Sequence, residues 1–146
     1  MNLKNEKLFK QECFINGAWV NSNDNQKIDV NNPSSLEIIG TVPKCGKEET
    51  KIAIEAANSS WDDWKARPAI ERSALLRKWF NLIESNHEDL AQIMTMEQGK
   101  PITESRGEIT YGASFVEWFA EEAKRVYGDT IPDRLNDRRI IVIKQP

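Results

Sequence analysis

The chain has 146 residues, 39% hydrophobic and 29% charged, with a formal net charge of −3. That length supports one ordinary domain with its own core, and a mild acidic balance with both signs interspersed gives no electrostatic basis for nucleic-acid binding. Two cysteines, one histidine and no long apolar run leave no disulfide framework, no zinc ligand set and no membrane span to predict.

The opening MNLKNEKLFKQ has no apolar core of the kind a secretory signal needs, so a reduced, cytoplasmic setting is expected. CFINGAWV places Asn16-Gly17 between apolar residues, which predicts a β-hairpin. After the polar stretch NSNDNQ, KIDVNNP alternates Ile28 and Val30 with polar neighbours and turns at Asn32-Pro33, and LEIIGTVPK reads as a third strand.

From Lys47 the period becomes helical. Residues 48–66 put Ala53, Ala57, Trp61 and Trp64 on one face. Pro68 suits a first helical turn, and the helix after it carries Leu76, Trp79, Phe80 and Ile83 on one stripe. Ser85 to Glu88 has the spacing of a capping box and opens a helix with Leu90, Ile93 and Met94 inward; Gly99 and Pro101 end it. The longest predicted helix runs from Ile102 to a stop at Gly128. Ile109, Ala113, Val116, Ala120, Ala123 and Tyr127 form one apolar stripe, Tyr111, Phe115 and Trp118 a second, and Glu117, Glu121 and Lys124 a wet face. A helix apolar on two sides needs two covering bodies, and the second has no evident source.

DTIPDRLNDRR reads as a polar connector, and the chain closes on RRIIVIKQP. Four branched apolar residues at 140–143 read as a strand buried on both faces, whose backbone groups need a neighbour. Either a homodimer supplies that neighbour and covers the second apolar stripe, or the chain is a piece of a longer polypeptide.

No residue pattern carries a reaction. IIGTVPKCGKEE resembles a phosphate-binding turn, but five residues separate Gly40 from Gly46 and Glu48 follows Lys47; a P-loop needs four residues and then Ser or Thr, so a structural turn is expected. Neither Cys13 nor Cys45 has an evident base, and a buried or turn position is expected for each. Lys100 after Gly99 suits a helix C-terminus. His87 reads as a solvent-facing first-turn residue. Glu97, Glu104 and Glu108 do not differ in pattern from an ordinary wet face.

Longer segments carry more information. MTMEQGKP, GEITYGASFVEWFAEEAKRVYGDTIP and IVIKQP, with FINGAWV, NNP and IIGTVPK before them, closely resemble the N-terminal portion of aldehyde dehydrogenases over essentially the whole chain. WFAEEAKRVYGDTIP with EQGKP looks most like the succinate-semialdehyde dehydrogenase branch; glutarate-semialdehyde and lactaldehyde dehydrogenases look similar here. The resemblance implies an α/β aldehyde dehydrogenase-like fold of which the part present is α+β: short N-terminal strands, about four helices and one terminal strand. It implies a tail at 1–12, an incomplete N-terminal part of the cofactor-binding domain at 13–137, and the start of an oligomerisation strand arm at 138–146.

It also implies the family's chemistry: oxidation of an aldehyde through a cysteine thiohemiacetal, hydride transfer to NADP or NAD, and hydrolysis aided by a glutamate. The corresponding motifs match no stretch of this chain, and neither Cys13 nor Cys45 fits the nucleophile motif. No catalytic, cofactor-binding or metal residue is therefore expected, and the coenzyme is not expected to bind this chain alone. One position carries over: Tyr111, with Gly107 a turn before it, falls near the substrate-tunnel wall, where ordinary helix packing would look the same. The implied partners are a small aldehyde and further copies in a homo-oligomer, with no nucleic acid and no membrane. The competing expectation is a non-catalytic structural or interaction module that dimerises through its terminal strand.

Overall fold

The computed structural model describes residues 1–135 and 137–145. A single 3-10 turn at Glu6–Leu8 leads into β1 (Cys13–Ile15), which pairs antiparallel with β2 (Ala18–Val20). Asn16 and Gly17 both take positive φ, 51° and 80°, the combination that a two-residue hairpin turn requires. The register sets Phe14 opposite Trp19, with ring centroids 5.1 Å apart, and Lys10 Nζ stands 5.0 Å from the Trp19 ring centroid.

β3 (Lys27–Asn31) and β4 (Ile38–Pro43) form a second antiparallel pair with an irregularity at Val30/Asn31. Their connection is organised by Asn32, which is buried. Its Oδ1 accepts from Ser34 N at 2.9 Å and its carbonyl accepts from Leu36 N at 2.7 Å. The turn predicted at Asn32-Pro33 is thus an Asx turn with a mechanism.

The helical segment predicted over 48–66 divides at Ser60 into α1 (Lys47–Ser59) and α2 (Trp61–Ala66). Arg67 ends α2 in extended conformation, as a residue before proline favours. The predicted inward face is only partly realised: Ala53 is half-buried, while Trp61 and Trp64 stay 43% and 37% exposed. α3 (Ala69–Ser85) follows Pro68 directly, and α4 (His87–Gln98) ends at Gly99 in the left-handed conformation, φ 69°. The predicted capping box does not form. Ser85 Oγ donates back to Leu82 O at 3.0 Å, and the Asn86 side chain caps the end of α3 by donating to the same carbonyl at 2.8 Å.

α5 (Ile102–Glu122) packs against α3 and α4. It ends six residues before Gly128, with a 3-10 turn at Ala123–Arg125. The core lies at the seams of these three helices and is built from small residues. Ala91, Ala113, Ala120 and Ser105 are essentially fully buried, and Ser73 nearly so; small side chains let backbones approach closely. Thr95 Oγ1 and Ser105 Oγ share a hydrogen bond of 2.8 Å across the α4–α5 seam. Buried Asp89 on α4 accepts from the backbone N–H groups of Lys4 (3.1 Å) and Asn5 (2.8 Å), which pins the N-terminal segment to the bundle.

Two sequence expectations are corrected at the end of the chain. DTIP is not connector but β5 (Asp129–Pro132), and the closing strand β6 (Arg139–Val142) pairs with it, Asp129 opposite Val142 and Ile131 opposite Ile140. The terminal strand therefore has a neighbour in its own chain. It is not buried on both faces, however; every residue of β5 and β6 is exposed. The α+β content, with strands in three separate hairpins, matches the expected fold class.

Candidate functional site

The α3–α5 seam holds a cross-helix cluster of ion pairs. Arg77 on α3 reaches across with its guanidinium fork: Nη1 donates to Glu117 Oε1 at 2.7 Å and Nη2 to Glu121 Oε1 at 2.6 Å. Its guanidinium carbon lies 5.2 Å from the Phe80 ring centroid, a cation–π distance. Glu121 also accepts from Lys124 Nζ at 2.7 Å. The Lys124 ammonium first, and then the Arg77 guanidinium, pull the Glu121 carboxyl from its ordinary 4.5 down to about 2. Glu117 and Glu121, read from sequence as a wet face, are therefore the half-buried acidic half of a cross-helix clamp.

A groove of about 590 Å³ opens over this clamp. Arg77, Glu117 and Glu121 form its polar part; Phe115, Trp118 and Phe119 form its apolar part. Tyr111, 66% exposed, stands one turn from Phe115 on the same face of α5, and their rings meet edge to face at 4.8 Å and 86°. Gly107 lies a further turn back, and a Cβ there would meet nothing within 4 Å. The aromatic stripe predicted on α5 thus exists as an open surface continuous with the groove, not as packing inside the bundle.

The other sequence candidates are placed as follows. Gly46 begins α1, but its N–H donates to Glu49 Oε2 at 2.8 Å while Glu49 Oε1 accepts from Asn23 N at 2.8 Å. Those backbone donors, Asn23 foremost, hold the Glu49 carboxyl below its usual range. A carboxylate already occupies the helix N-terminus where a phosphate would sit. A Cβ at Gly40 would come within 2.8 Å of the Phe9 ring, so that glycine serves close packing. His87 is half-buried, not solvent-facing, with Nε2 3.0 Å from Arg106 O and 3.1 Å from Thr110 Oγ1. Beside it Arg106 binds Glu88 through both Nε (2.8 Å) and Nη2 (2.7 Å), which draws the Glu88 carboxyl downward. Lys100 pairs with Glu108; Glu97 and Glu104 are exposed.

Cys13 and Cys45 are free thiols with Sγ atoms 3.7 Å apart. Sequence reasoning treated them singly, and a separation of 32 residues gave no signal of the meeting. Among the described residues no cluster of three metal-ligating side chains occurs, and no helix is long and apolar enough to cross a membrane.

The fold, then, is a helical bundle with hairpins at both ends and an uncovered aromatic face. Comparison with known proteins identifies its class. The aldehyde dehydrogenase family model matches residues 19–146, and the chain belongs to that family of oxidoreductases. It is 58% identical over all 146 residues to a glutarate-semialdehyde dehydrogenase of Pseudomonas putida. It is 53% identical, again over its whole length, to a succinate-semialdehyde dehydrogenase [NADP(+)] of Escherichia coli. The structure superposes on the crystal structure of an aldehyde dehydrogenase from Brucella melitensis biovar abortus with a TM-score of 0.96 at 51% identity, covering 100% of this chain and 30% of that one. The chain spans about 30% of the length of the curated relatives it matches.

Proposed function

We propose that this chain is the N-terminal part of an NAD(P)-dependent dehydrogenase that oxidises a dicarboxylic semialdehyde, either succinate semialdehyde or its homologue one carbon longer, glutarate semialdehyde. The observation that supports this reading is the identity of 58% and 53% over the whole chain to relatives named for those two substrates.

In this reading residues 1–12 are a lead-in, 13–137 belong to the cofactor-binding domain, and 138–146 begin the strand arm through which copies assemble into a cytoplasmic homo-oligomer. Tyr111 and Gly107 line the passage by which the aldehyde reaches the reacting centre. Their contribution is shape: the exposed Tyr111 ring narrows the passage, and the absence of a side chain at Gly107 widens it one helical turn away. Nucleophile and base come from other segments of the dehydrogenase. No coenzyme contact is assigned to the residues of this chain.

A chimera tests the proposal. The 146 residues replace their counterparts in the Escherichia coli relative, and NADPH formation is followed with each semialdehyde. Turnover is expected with at least one of them, and Tyr111→Ala is expected to change KM with little change in kcat. An assembled, folded chimera that reduces neither NADP nor NAD with either aldehyde overturns the reading.

A further inference from the structure

The Cys13–Cys45 contact joins two parts of the fold that secondary structure does not connect. Cys13 opens β1, a strand of three residues in an isolated hairpin, and such hairpins are marginal on their own. Cys45 lies in the turn between β4 and α1. The turn that carries Cys45 and the loop over residues 22–26 beside it are held in place. Glu49 fixes Gly46 N and Asn23 N, Lys44 N donates to Gln26 O at 2.9 Å, and Ser22 Oγ donates to that same carbonyl at 2.9 Å. The thiols are half-buried, so a small reagent can reach them. With Sγ atoms already at 3.7 Å, closure to a bond of about 2.05 Å requires a short approach. Two thiolates fall short of a zinc set.

We propose that Cys13 and Cys45 are a redox pair that closes into an intramolecular disulfide by exchange with a low-molecular-weight disulfide such as oxidised glutathione. One cysteine thiolate attacks the glutathione disulfide, forming a mixed disulfide and releasing one glutathione thiolate. The second cysteine thiolate then attacks the protein sulfur of the mixed disulfide and releases the other. The two cysteine thiols are oxidised, the glutathione disulfide is reduced to two thiols, and the two protons lost by the cysteines are taken up by the departing thiolates. Burial and the Cys13 hydrogen bond, with the carboxylates of Glu49 and Asp24 behind them, hold the Cys45 thiol above its ordinary range, so exchange quickens as pH rises. The product pins the β1–β2 hairpin to the start of α1. This proposal does not depend on the dehydrogenase reading.

The test uses the intact chain, reduced and then equilibrated in buffers of graded reduced and oxidised glutathione, acid-quenched, alkylated and analysed by mass without reduction. The expected product is lighter than the reduced chain by two hydrogen atoms, bears no alkyl group, and yields a Cys13–Cys45 linked peptide. At equal glutathione ratio the disulfide-to-dithiol ratio is expected to be at least ~10-fold higher in buffer than in concentrated urea, reflecting the effective concentration that the fold provides. Cys13→Ser should give a single glutathionyl adduct at Cys45 with an unchanged far-ultraviolet spectrum. Wild-type chain carrying two glutathionyl groups, chain-to-chain disulfide dimers as the main product, or the same ratio in buffer and urea each overturns the proposal. All three wild-type readouts stand even if the variant fails to fold.

Discussion

At the scale of single residues, Gly99 and Gly107 show how one residue type serves opposite ends. Gly99 closes α4 with φ 69°, and a Cβ there would sit 2.9 Å from Pro33 Cγ and 3.0 Å from Ser34 N. Backbone conformation and steric room both demand glycine, because the αL residue is where the Asn32-Pro33 turn rests against the helix end. Gly99→Ala is therefore expected to destabilise the chain by about 1–3 kcal/mol, read as a lower urea midpoint at unchanged slope. Gly107 has open space around its missing Cβ and sits inside α5, where glycine costs about 1 kcal/mol relative to alanine. Gly107→Ala should stabilise the isolated chain by roughly 0.5–1 kcal/mol, read as a higher urea midpoint. The same substitution in the semialdehyde dehydrogenase chimera should lower kcat/KM if the passage reading holds. A variant that destabilises the isolated chain would show that the position has a packing role.

At the scale of elements, the α3–α5 clamp makes stability depend on pH in a defined direction. Glu121 has a folded value of about 2 against an ordinary 4.5. A depressed carboxyl contributes stability above its ordinary value and loses it as pH falls through the folded one. The stability difference between wild type and Glu121→Gln should be largest above about 4.5 and should narrow steadily as pH drops to about 2. Urea unfolding at a series of pH values measures it, and a difference that stays flat across that window would contradict the clamp. Lys124→Met should remove part of the effect and Lys124→Met with Arg77→Met more, since both cations act on one carboxylate. This clamp was not legible in the sequence. Glu117 and Glu121 sit four apart on a helix among solvated charges, and their cation lies 40 and 44 residues earlier; periodicity reports which residues share a face but not what that face meets. β5 was missed for a related reason. Asp129 and Pro132 are poor strand formers, and the pairing with β6 overrides that preference. Gly128 was read as a helix stop, yet its lack of a side chain answers to the Val142 carbonyl, which a Cβ would overlap. What did read correctly was local: the Asn16-Gly17 turn, the Gly99 stop and the α5 stripes as far as Ala120 each rest on geometry set within a few residues, whereas Ala123 and Tyr127 fall beyond the end of α5 and Tyr127 is exposed.

At the scale of the whole molecule, the surface is too large for the mass. A monomer of 16.8 kDa is expected to expose about 7,700 Å², whereas this chain exposes 10981 Å². The excess, about 3,300 Å², is larger than the roughly 1,000–2,500 Å² that one partner contributes to an obligate interface of about 2,000–5,000 Å² in total. It is not spread evenly. Trp118 is 65% exposed, and Trp79, Leu82 and Phe119 are more than half exposed, so α3 and α5 present large apolar side chains outward while alanines and serines fill the seam between them. Uncovered apolar patches of this size mark interaction faces. The isolated chain should therefore bind a hydrophobic dye while keeping its helical far-ultraviolet signal. Trp118→Lys should reduce that binding several-fold without loss of helix, because the side chain removed packs against nothing in the core. In the chimera the same indole should become shielded, with acrylamide quenching falling relative to the isolated chain. If the isolated chain binds no dye, or if quenching is equal in the two settings, the face is not a docking surface, and the excess area would have to be sought in the exposed β5–β6 hairpin instead.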